Sequence, residues 1–142
     1  MFDLTGMTAL VTGASGGIGS AIAQALAAQG ARLAVSGSNA EKLNAFRDTL
    51  GGDHVALPCN LGDAAAVDAL VPSAVEALGR LDILVNNAGV TRDNLIMRMK
   101  DDEWSDVIRI NLEANFRLAR AAAKPMMKAR FGRIISITSV VG

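Results

Sequence analysis

Short apolar runs alternate with longer amphipathic segments along this chain. The apolar runs are rich in Val, Ile, Leu and Ala, and each ends at a turn signal, which predicts five buried β-strands. The segments between them repeat their apolar residues with the period of a helix. Because strands alternate with helices, the pattern predicts an α/β fold, a parallel sheet with helices on both faces. The predicted strands are 8–13, 31–37, 54–59, 81–87 and 132–138, and the predicted helices are 17–30, 39–51, 63–79 and 101–128.

Several residues indicate where these helices begin, end or bend. Asn39 is placed to cap the second helix, and Gly30 to close the first. Pro72 falls inside the third predicted helix and should kink or split it. Pro125 should disturb the last turns of the fourth helix for the same reason.

Composition narrows the class of protein. A chain of 142 residues is enough for one domain, and no apolar run is long enough to span a bilayer. Lys+Arg and Asp+Glu balance at 14 each, which argues against a general nucleic-acid binder. A single cysteine, Cys59, excludes an internal disulfide and is typical of the cytoplasm. We therefore expect a cytoplasmic protein with no membrane span, no nucleic-acid partner and no metal site.

The segment "VTGASGGIGSAI" follows the first predicted strand and opens the first helix. Its glycines, Gly13, Gly17 and Gly19, have the spacing G-x-x-x-G-x-G. Glycines allow a tight turn and let a pyrophosphate approach the helix N-terminus, where free N–H groups and the helix dipole favour an anion. The segment predicts a dinucleotide site, and the alternative is a glycine-rich turn without a ligand.

The end of the second predicted strand bears on the choice of cofactor. A site for NAD usually places an acid about 20 residues after the glycine motif. Residues 30–40 contain no Asp or Glu, and Gly37 and Ser38 occupy the tip. The absence of an acid leaves room for a 2′-phosphate, so we expect NADP(H), with Ser38 and Asn39 near that phosphate.

Four motifs stand in one order: "TGASGGIG", "NNAG" at 86–89, Asn111 in "RINLEANF" and Ser139 in "ISITSVVG". Together they resemble the short-chain dehydrogenase/reductase family, over residues 4–142. The loop "NNAGVTRDNLIMRMKDDEW" is similar to that of the 3-oxoacyl-[acyl-carrier-protein] reductases within this family. The resemblance implies a Rossmann-type doubly wound sheet with strand order 3-2-1-4-5.

The resemblance also assigns roles to individual residues. Asn111 would hold a water of the proton relay, and Ser139 would hydrogen-bond the substrate carbonyl; the alternative for Ser139 is a hydroxyl that ends a strand. For the cofactor, the pyrophosphate would lie against Gly13, Ala14, Ser15 and Gly16, near Gly17 and Gly19. The nicotinamide would lie beside Ile18 and the adenine beside Asn60 and Leu61. The ribose would lie beside Asn87, Ala88 and Gly89.

The implied activity is the reduction of 3-oxoacyl thioesters on acyl carrier protein by NADPH in fatty-acid biosynthesis. An acetoacetyl-CoA reductase and a non-catalytic nucleotide-binding module remain as alternatives. This sequence departs from the family pattern at two points. Many NADP-dependent members have Arg where this chain has Gly16. The family's catalytic acid is a Tyr in a Tyr-x-x-x-Lys pair, whereas this sequence contains no Tyr. We therefore expect one dinucleotide-binding domain over 1–142 that is the N-terminal portion of a longer reductase and is inactive by itself.

The last third of the chain is basic, with no acid after Glu113. Helical spacing places four basic residues on one face, either as a solvated stripe or, with Arg130 and Arg133, as a docking patch for an acidic carrier protein. We expect such docking at Lys128 and Arg130. Because the family is commonly tetrameric, we also expect a homo-oligomer. The four residues are Arg117, Arg120, Lys124 and Lys128.

Two residues with reactive side chains are expected to have ordinary roles. His54 begins the third predicted strand, at the edge of the sheet opposite the ligand side, and should be a surface residue. Cys59 should be a small buried hydrophobic residue. The fifth strand should form an apolar edge of the sheet.

Overall fold

A computed structural model describes residues 3–87 and 100–137 of the chain. Its five strands pair in parallel in the order β3-β2-β1-β4-β5, which confirms the predicted fold class. The strands are shorter than the apolar runs that predicted them. In chain order they are β1 Thr8–Val11, β2 Arg32–Val35, β3 Val55–Ala56, β4 Ile83–Asn86 and β5 Arg133–Ser136.

The chain stays against the sheet beyond the regular end of the third strand. Beyond β3, the backbone N–H groups of Leu57 and Cys59 still donate to the carbonyls of Val35, in β2, and of Gly37, two residues after β2, at 2.9 and 3.0 Å. Pro58 lies between them, and on this edge strand its nitrogen faces away from β2, so the proline removes no hydrogen bond from the sheet. The chain is thus held against β2 as far as Cys59.

In the described part of the chain, five α-helices and one π-helical segment connect or flank the strands. They are α1 Gly17–Ala28, α2 Ala40–Thr49, α3 Ala64–Leu78, α4 Asp101–Ile108, the π segment Arg109–Glu113 and α5 Ala114–Ala129. The predicted helix 101–128 is therefore three segments, because hydrophobic periodicity does not distinguish a π turn from an α turn. The π segment directly precedes α5 and contains Asn111.

The predicted split at Pro72 is wrong. Helix α3 is continuous from Ala64 to Leu78, and its neighbours Val71 and Ala74 are fully buried. Burial on both sides of the proline offsets the roughly 3 kcal/mol that a proline costs inside a helix. Helix α5 likewise continues past Pro125 to Ala129.

The predicted caps of α1 and α2 are present. The Asn39 side chain accepts a hydrogen bond from the N–H of Lys42 at the start of α2. At the end of α1, Gly30 has a φ of 100°, and the N–H of Ala31 donates to the carbonyl of Leu26, as in a Schellman motif. Gly30 thus follows the cap residue Gln29 instead of belonging to the helix.

Alternating residues of the central strands divide the core between the two faces of the sheet. One cluster contains Leu10 and Leu84 with residues of α3 and α5, and the other contains Val11 and Val85 with residues of α1 and α2. Strand β5 lies at the edge of the sheet, and its residue Ile134 is exposed. Within the described residues, no helix has the length and apolarity that crossing a membrane requires.

Candidate functional site

The turn between β1 and α1 is built to approach a ligand with its backbone. Gly13 has a φ of 62°, a conformation that favours glycine, and its carbonyl accepts from the N–H of Gly16 at 3.2 Å. Helix α1 then begins at Gly17, and no side chain caps its N-terminus at Gly16. The free N–H groups and the positive end of the helix dipole provide an anion site at this point.

The glycines of the motif differ in the space around them. A Cβ atom on Gly19 would lie 1.9 Å from the carbonyl oxygen of Gly13 and 2.6 Å from Nδ2 of Asn87. Gly19 therefore allows α1 to pack against the turn. A Cβ on Gly17 would meet nothing within 4 Å, and one on Gly16 would make only an ordinary contact with Gly13. A side chain at Gly16 or Gly17 would therefore cause no overlap within the described residues.

Asn87 connects the end of β4 to this turn. Its Nδ2 atom donates to the carbonyl of Gly13 at 3.3 Å, and its N–H donates to Oγ1 of Thr12 at 3.0 Å. The Thr12 hydroxyl in turn donates to the carbonyl of Val85 at 3.3 Å. Two predicted site residues, Gly13 and Asn87, are thus brought together by the carboxyl ends of adjacent parallel strands. Sequence reasoning missed Thr12, whose hydroxyl at a buried strand end was the available signal.

The end of β2 closes the site on the other side. The N–H of Ala14 donates to the carbonyl of Ser36 at 3.0 Å, and a Cβ on Gly37 would lie 3.3 Å from Oγ of Ser15. Ser15 of the glycine turn therefore lies against the tip of β2. Ser38 is exposed just beyond this contact, in a stretch without acidic residues. Ala14 itself is fully buried and its N–H is bonded to Ser36, so it holds the glycine turn against the end of β2.

The remaining predicted cofactor residues belong to three further segments of the chain. Ile18 is an exposed apolar side chain in the first turn of α1. Asn60 follows β3, is exposed, and accepts from the N–H of Gly62 at 2.9 Å. Leu61 is half-buried and packs partly against the core on the α3 side. Ala88 and Gly89 lie outside the described residues.

Of the two predicted catalytic residues, the structure describes Asn111 and not Ser139. Ser139 lies outside the described residues. Asn111 lies in the π segment, and its carbonyl accepts a hydrogen bond from Nδ2 of Asn115 at 2.9 Å. Single π turns inside α-helices are rare and occur often at functional sites, so Asn111 stands at a position of that kind.

The basic stripe on α5 needs one correction. Arg117 is paired with Asp68 of α3 and with Glu113, so it is neither freely solvated nor available for docking. Asp68 reaches it because α3 and α5 pack against each other, and Glu113 reaches it because it precedes Arg117 by four residues. The Arg120 guanidinium stacks over the Phe116 ring, 5.1 Å from its centroid. Lys124 and Lys128 lie further along the same helix.

The carboxyl edge of this sheet can hold an anionic nucleotide. Over residues 3–87 and 100–137, no three His, Cys, Asp or Glu side chains come together as metal ligands. The glycine turn, the uncapped start of α1 and the acid-free tip of β2 meet at the carboxyl ends of β1, β2 and β4, the ligand side of a doubly wound sheet. The fold and the site define a protein of the Rossmann type.

The chain belongs to the short-chain dehydrogenase family, whose sequence pattern matches residues 7–142. Nodulation protein G of Rhizobium sp. (strain N33) is 53% identical over 142 residues, which are 100% of this chain and 58% of that protein. The 3-oxoacyl-[acyl-carrier-protein] reductase FabG of Escherichia coli (strain K12) is 50% identical over 140 residues, 99% of this chain and 57% of the reductase.

Solved structures agree with this assignment. A metagenomic short-chain oxidoreductase in complex with NADP superimposes with a TM-score of 0.92 and 41% identity, covering 97% of this chain and 64% of that protein. A short-chain alcohol dehydrogenase of Sinorhizobium meliloti 1021, described as putative, gives the same TM-score at 40% identity. The chain spans less than three fifths of the length of the curated relatives named above.

Proposed function

We propose that this chain binds NADP(H) and serves in the reduction of 3-oxoacyl thioesters carried by acyl carrier protein. The hydrogen bond from Asn87 to the carbonyl of Gly13 supports this proposal most. It joins the glycine turn to the end of β4, at the carboxyl ends of β1 and β4, where a nucleotide would bind. The 50% identity to the Escherichia coli reductase supports the choice of substrate. A place in fatty-acid biosynthesis and in the cytoplasm follows from the same proposal.

The preference for NADP(H) is supported by the tip of β2. Ser38 is exposed there, and residues 30–40 contain no carboxylate that would repel a 2′-phosphate. The similar metagenomic oxidoreductase was solved with NADP. We expect Ser38→Asp to raise KM for NADPH much more than KM for NADH. Equal KM values for the two cofactors in the unchanged protein would contradict the preference.

The chemistry assigns roles to two residues of this chain. When bound, NADPH supplies the hydride that converts the 3-oxo group into a 3-hydroxyl group, and one proton is taken up at the former carbonyl oxygen. Ser139 would donate a hydrogen bond to that oxygen, and Asn111 would hold a water in the path of the proton. Because these 142 residues contain no Tyr, we expect them to bind cofactor without turnover by themselves.

The basic residues at the end of α5 are proposed as the docking site for the carrier protein. Lys128 lies in the last turn of α5, and Arg130 directly follows the helix in a left-handed conformation, with both side chains exposed. An acidic partner would meet two cations that make no described ion pair within residues 3–87 and 100–137. We expect Lys128→Glu with Arg130→Glu to raise KM for the carrier-bound substrate and not for a small thioester. Equal effects on both substrates would refute the docking site.

An apolar patch at the junction of the π segment and α5 supports the proposed homo-oligomer. Leu112 and Phe116 are one helical turn apart and remain 65% and 60% exposed. A second copy of the chain would remove this surface from water. Phe116→Glu should then shift the full-length protein to a smaller species in size-exclusion chromatography with light scattering. An unchanged mass for this variant would count against oligomerisation through this patch.

The central test is NADPH oxidation by the full-length protein, followed at 340 nm. We expect turnover with an acetoacetyl thioester, with a higher kcat/KM on acyl carrier protein than on CoA. A higher kcat/KM on CoA would favour the acetoacetyl-CoA reductase. Binding of NADPH without turnover on either thioester would favour a non-catalytic nucleotide-binding module.

A further inference from the structure

The π segment that carries Asn111 is tied to helix α3 through one side chain. Arg117 of α5 donates from Nε to Oε1 of Glu113, the last residue of the π segment, at 3.2 Å. Its NH1 group donates to both carboxylate oxygens of Asp68 in α3, at 3.1 and 2.9 Å. A single guanidinium therefore joins the π segment to a helix about 50 residues earlier in the sequence.

The position of Arg117 favours a persistent link. Its side chain is only 27% exposed, and the next residue, Leu118, is fully buried in the core on the α3 side of the sheet. The hydrogen bonds that it donates to Asp68 and then to Glu113 raise the pKa of Arg117 above its already high usual value. The guanidinium presents donors along two edges of a rigid plane, so it can hold two carboxylates at once, which the single ammonium of Lys does less well.

A second, shorter link acts inside the helix. Nδ2 of Asn115 donates to the carbonyl of Asn111 at 2.9 Å, while Oδ1 of Asn115 is buried and has no hydrogen-bond partner among residues 3–87 and 100–137. A buried amide oxygen without a partner costs about 1–3 kcal/mol. The Asn115 side chain keeps this orientation because its Nδ2 group bonds to Asn111. The two links hold the π segment from both of its neighbours, α5 and α3.

A π segment needs such support because its hydrogen bonds span five residues and it rarely persists beyond one turn. We propose that Arg117 is a positioning residue, which clamps the π segment to α3 and thereby fixes Asn111 for the proton relay. This inference rests on the proposed reductase function. It assigns a role to a cation that the sequence pattern had placed in a solvated or docking stripe.

The test compares Arg117→Met with Arg47→Met in the full-length protein. Arg47 is a matched control, because it pairs with Asp48 on the surface of α2 at 3.0 Å and touches nothing in the π segment. With a small thioester, Arg117→Met should lower kcat about tenfold and leave KM for NADPH within about twofold. Arg117→Lys should recover part of the loss. A kcat for Arg117→Met equal to that of Arg47→Met would overturn the inference.

Hydrogen exchange gives a readout that does not depend on turnover. Backbone amides of residues 109–116 should exchange faster in Arg117→Met than in the unchanged protein, and at the same rate in Arg47→Met. Unchanged exchange in Arg117→Met would also overturn the clamp. If Arg117→Met does not fold, Asp68→Asn weakens the link to α3 while Arg117 keeps Glu113, and the same outcomes apply. Absence of turnover in the unchanged protein would refute the reductase function but not the clamp.

Discussion

The side-chain nitrogen of Asn87 lies 3.3 Å from the carbonyl oxygen of Gly13, and this bond joins the end of β4 to the glycine turn after β1. The two residues are 74 positions apart in the sequence. Gly19 packs into the corner that they form, where a single added carbon would overlap both. The nucleotide site is therefore one structural unit made from two strands and the start of α1.

Replacing Gly19 by Ala should disrupt this unit. The new Cβ would lie 1.9 Å from the Gly13 carbonyl oxygen, so the backbone has to move, at a cost of about 2 kcal/mol or more. We expect a lower midpoint of thermal unfolding and weaker NADPH binding in a fluorescence titration. Gly17→Ala is the control, because its Cβ would meet nothing within 4 Å, and this variant should unfold at the temperature of the unchanged protein or higher. Equal destabilisation by both changes would contradict the packing argument.

Asp82 should be among the most sensitive charged residues in the described part of the chain. Its carboxylate is buried, accepts from the N–H of Thr8 at 2.9 Å and from Nε of Arg80 at 2.8 Å, and thus joins the starts of β1 and β4. We expect Asp82→Ala to lower the free energy of unfolding by about 3 kcal/mol, because Thr8 and Arg80 both lose a charged acceptor. Asp48→Ala removes only an exposed pair with Arg47 and should cost less than about 1 kcal/mol in the same urea titration.

His54 should make the stability of the protein dependent on pH. Its Nδ1 accepts from the N–H of Leu33 at 3.0 Å, so it must be neutral in the fold and is more than the surface residue that its position predicted. Burial lowers its pKa from the usual 6.5, with the nearby charge of Asp53 opposing and that of Arg32 adding to the shift. Because the unfolded chain binds the proton more readily, stability should be constant above about pH 6.5 and fall as the pH drops below it.

The matched variant for this prediction is His54→Asn. An Asn Oδ1 atom can take the place of the Nδ1 acceptor but does not titrate. We expect urea unfolding between pH 7 and pH 5 to show a smaller loss of stability for His54→Asn than for the unchanged protein. The same loss in both proteins would assign the pH dependence to other groups.

Cys59 should react slowly in the folded protein. Its thiol is buried among residues of the α3-side core, and burial, with a smaller contribution from the charge of Asp63, raises its pKa. Little thiolate is then present at neutral pH, and access is restricted. We expect iodoacetamide at pH 7.5 to label Cys59 much more slowly in the native protein than in 6 M urea, by mass spectrometry. Equal rates would show that this part of the core opens readily.

Local chemistry determined much of the fold. The parallel sheet follows from apolar runs alternating with helical segments, and the cap at Asn39 follows from a side chain that can accept from a backbone three residues away. The glycine turn was predictable for the same reason, since Gly13 and its neighbours need no distant residue to form a tight turn. The burial of Cys59 followed from the apolar run around it.

Packing between distant segments decided the rest. The sequence did not predict that α3 continues through Pro72, because that depends on burial of Val71 and Ala74 against the sheet. Neither did it predict the partners of Arg117, because its spacing on α5 describes the helix face and not which helix lies opposite. Hydrophobic and glycine patterns act over a few neighbouring residues, so they can be recognised in the sequence. The π segment, the bond from Asn87 to Gly13 and the clamp at Arg117 depend on which segments meet, and only the tertiary structure decided that.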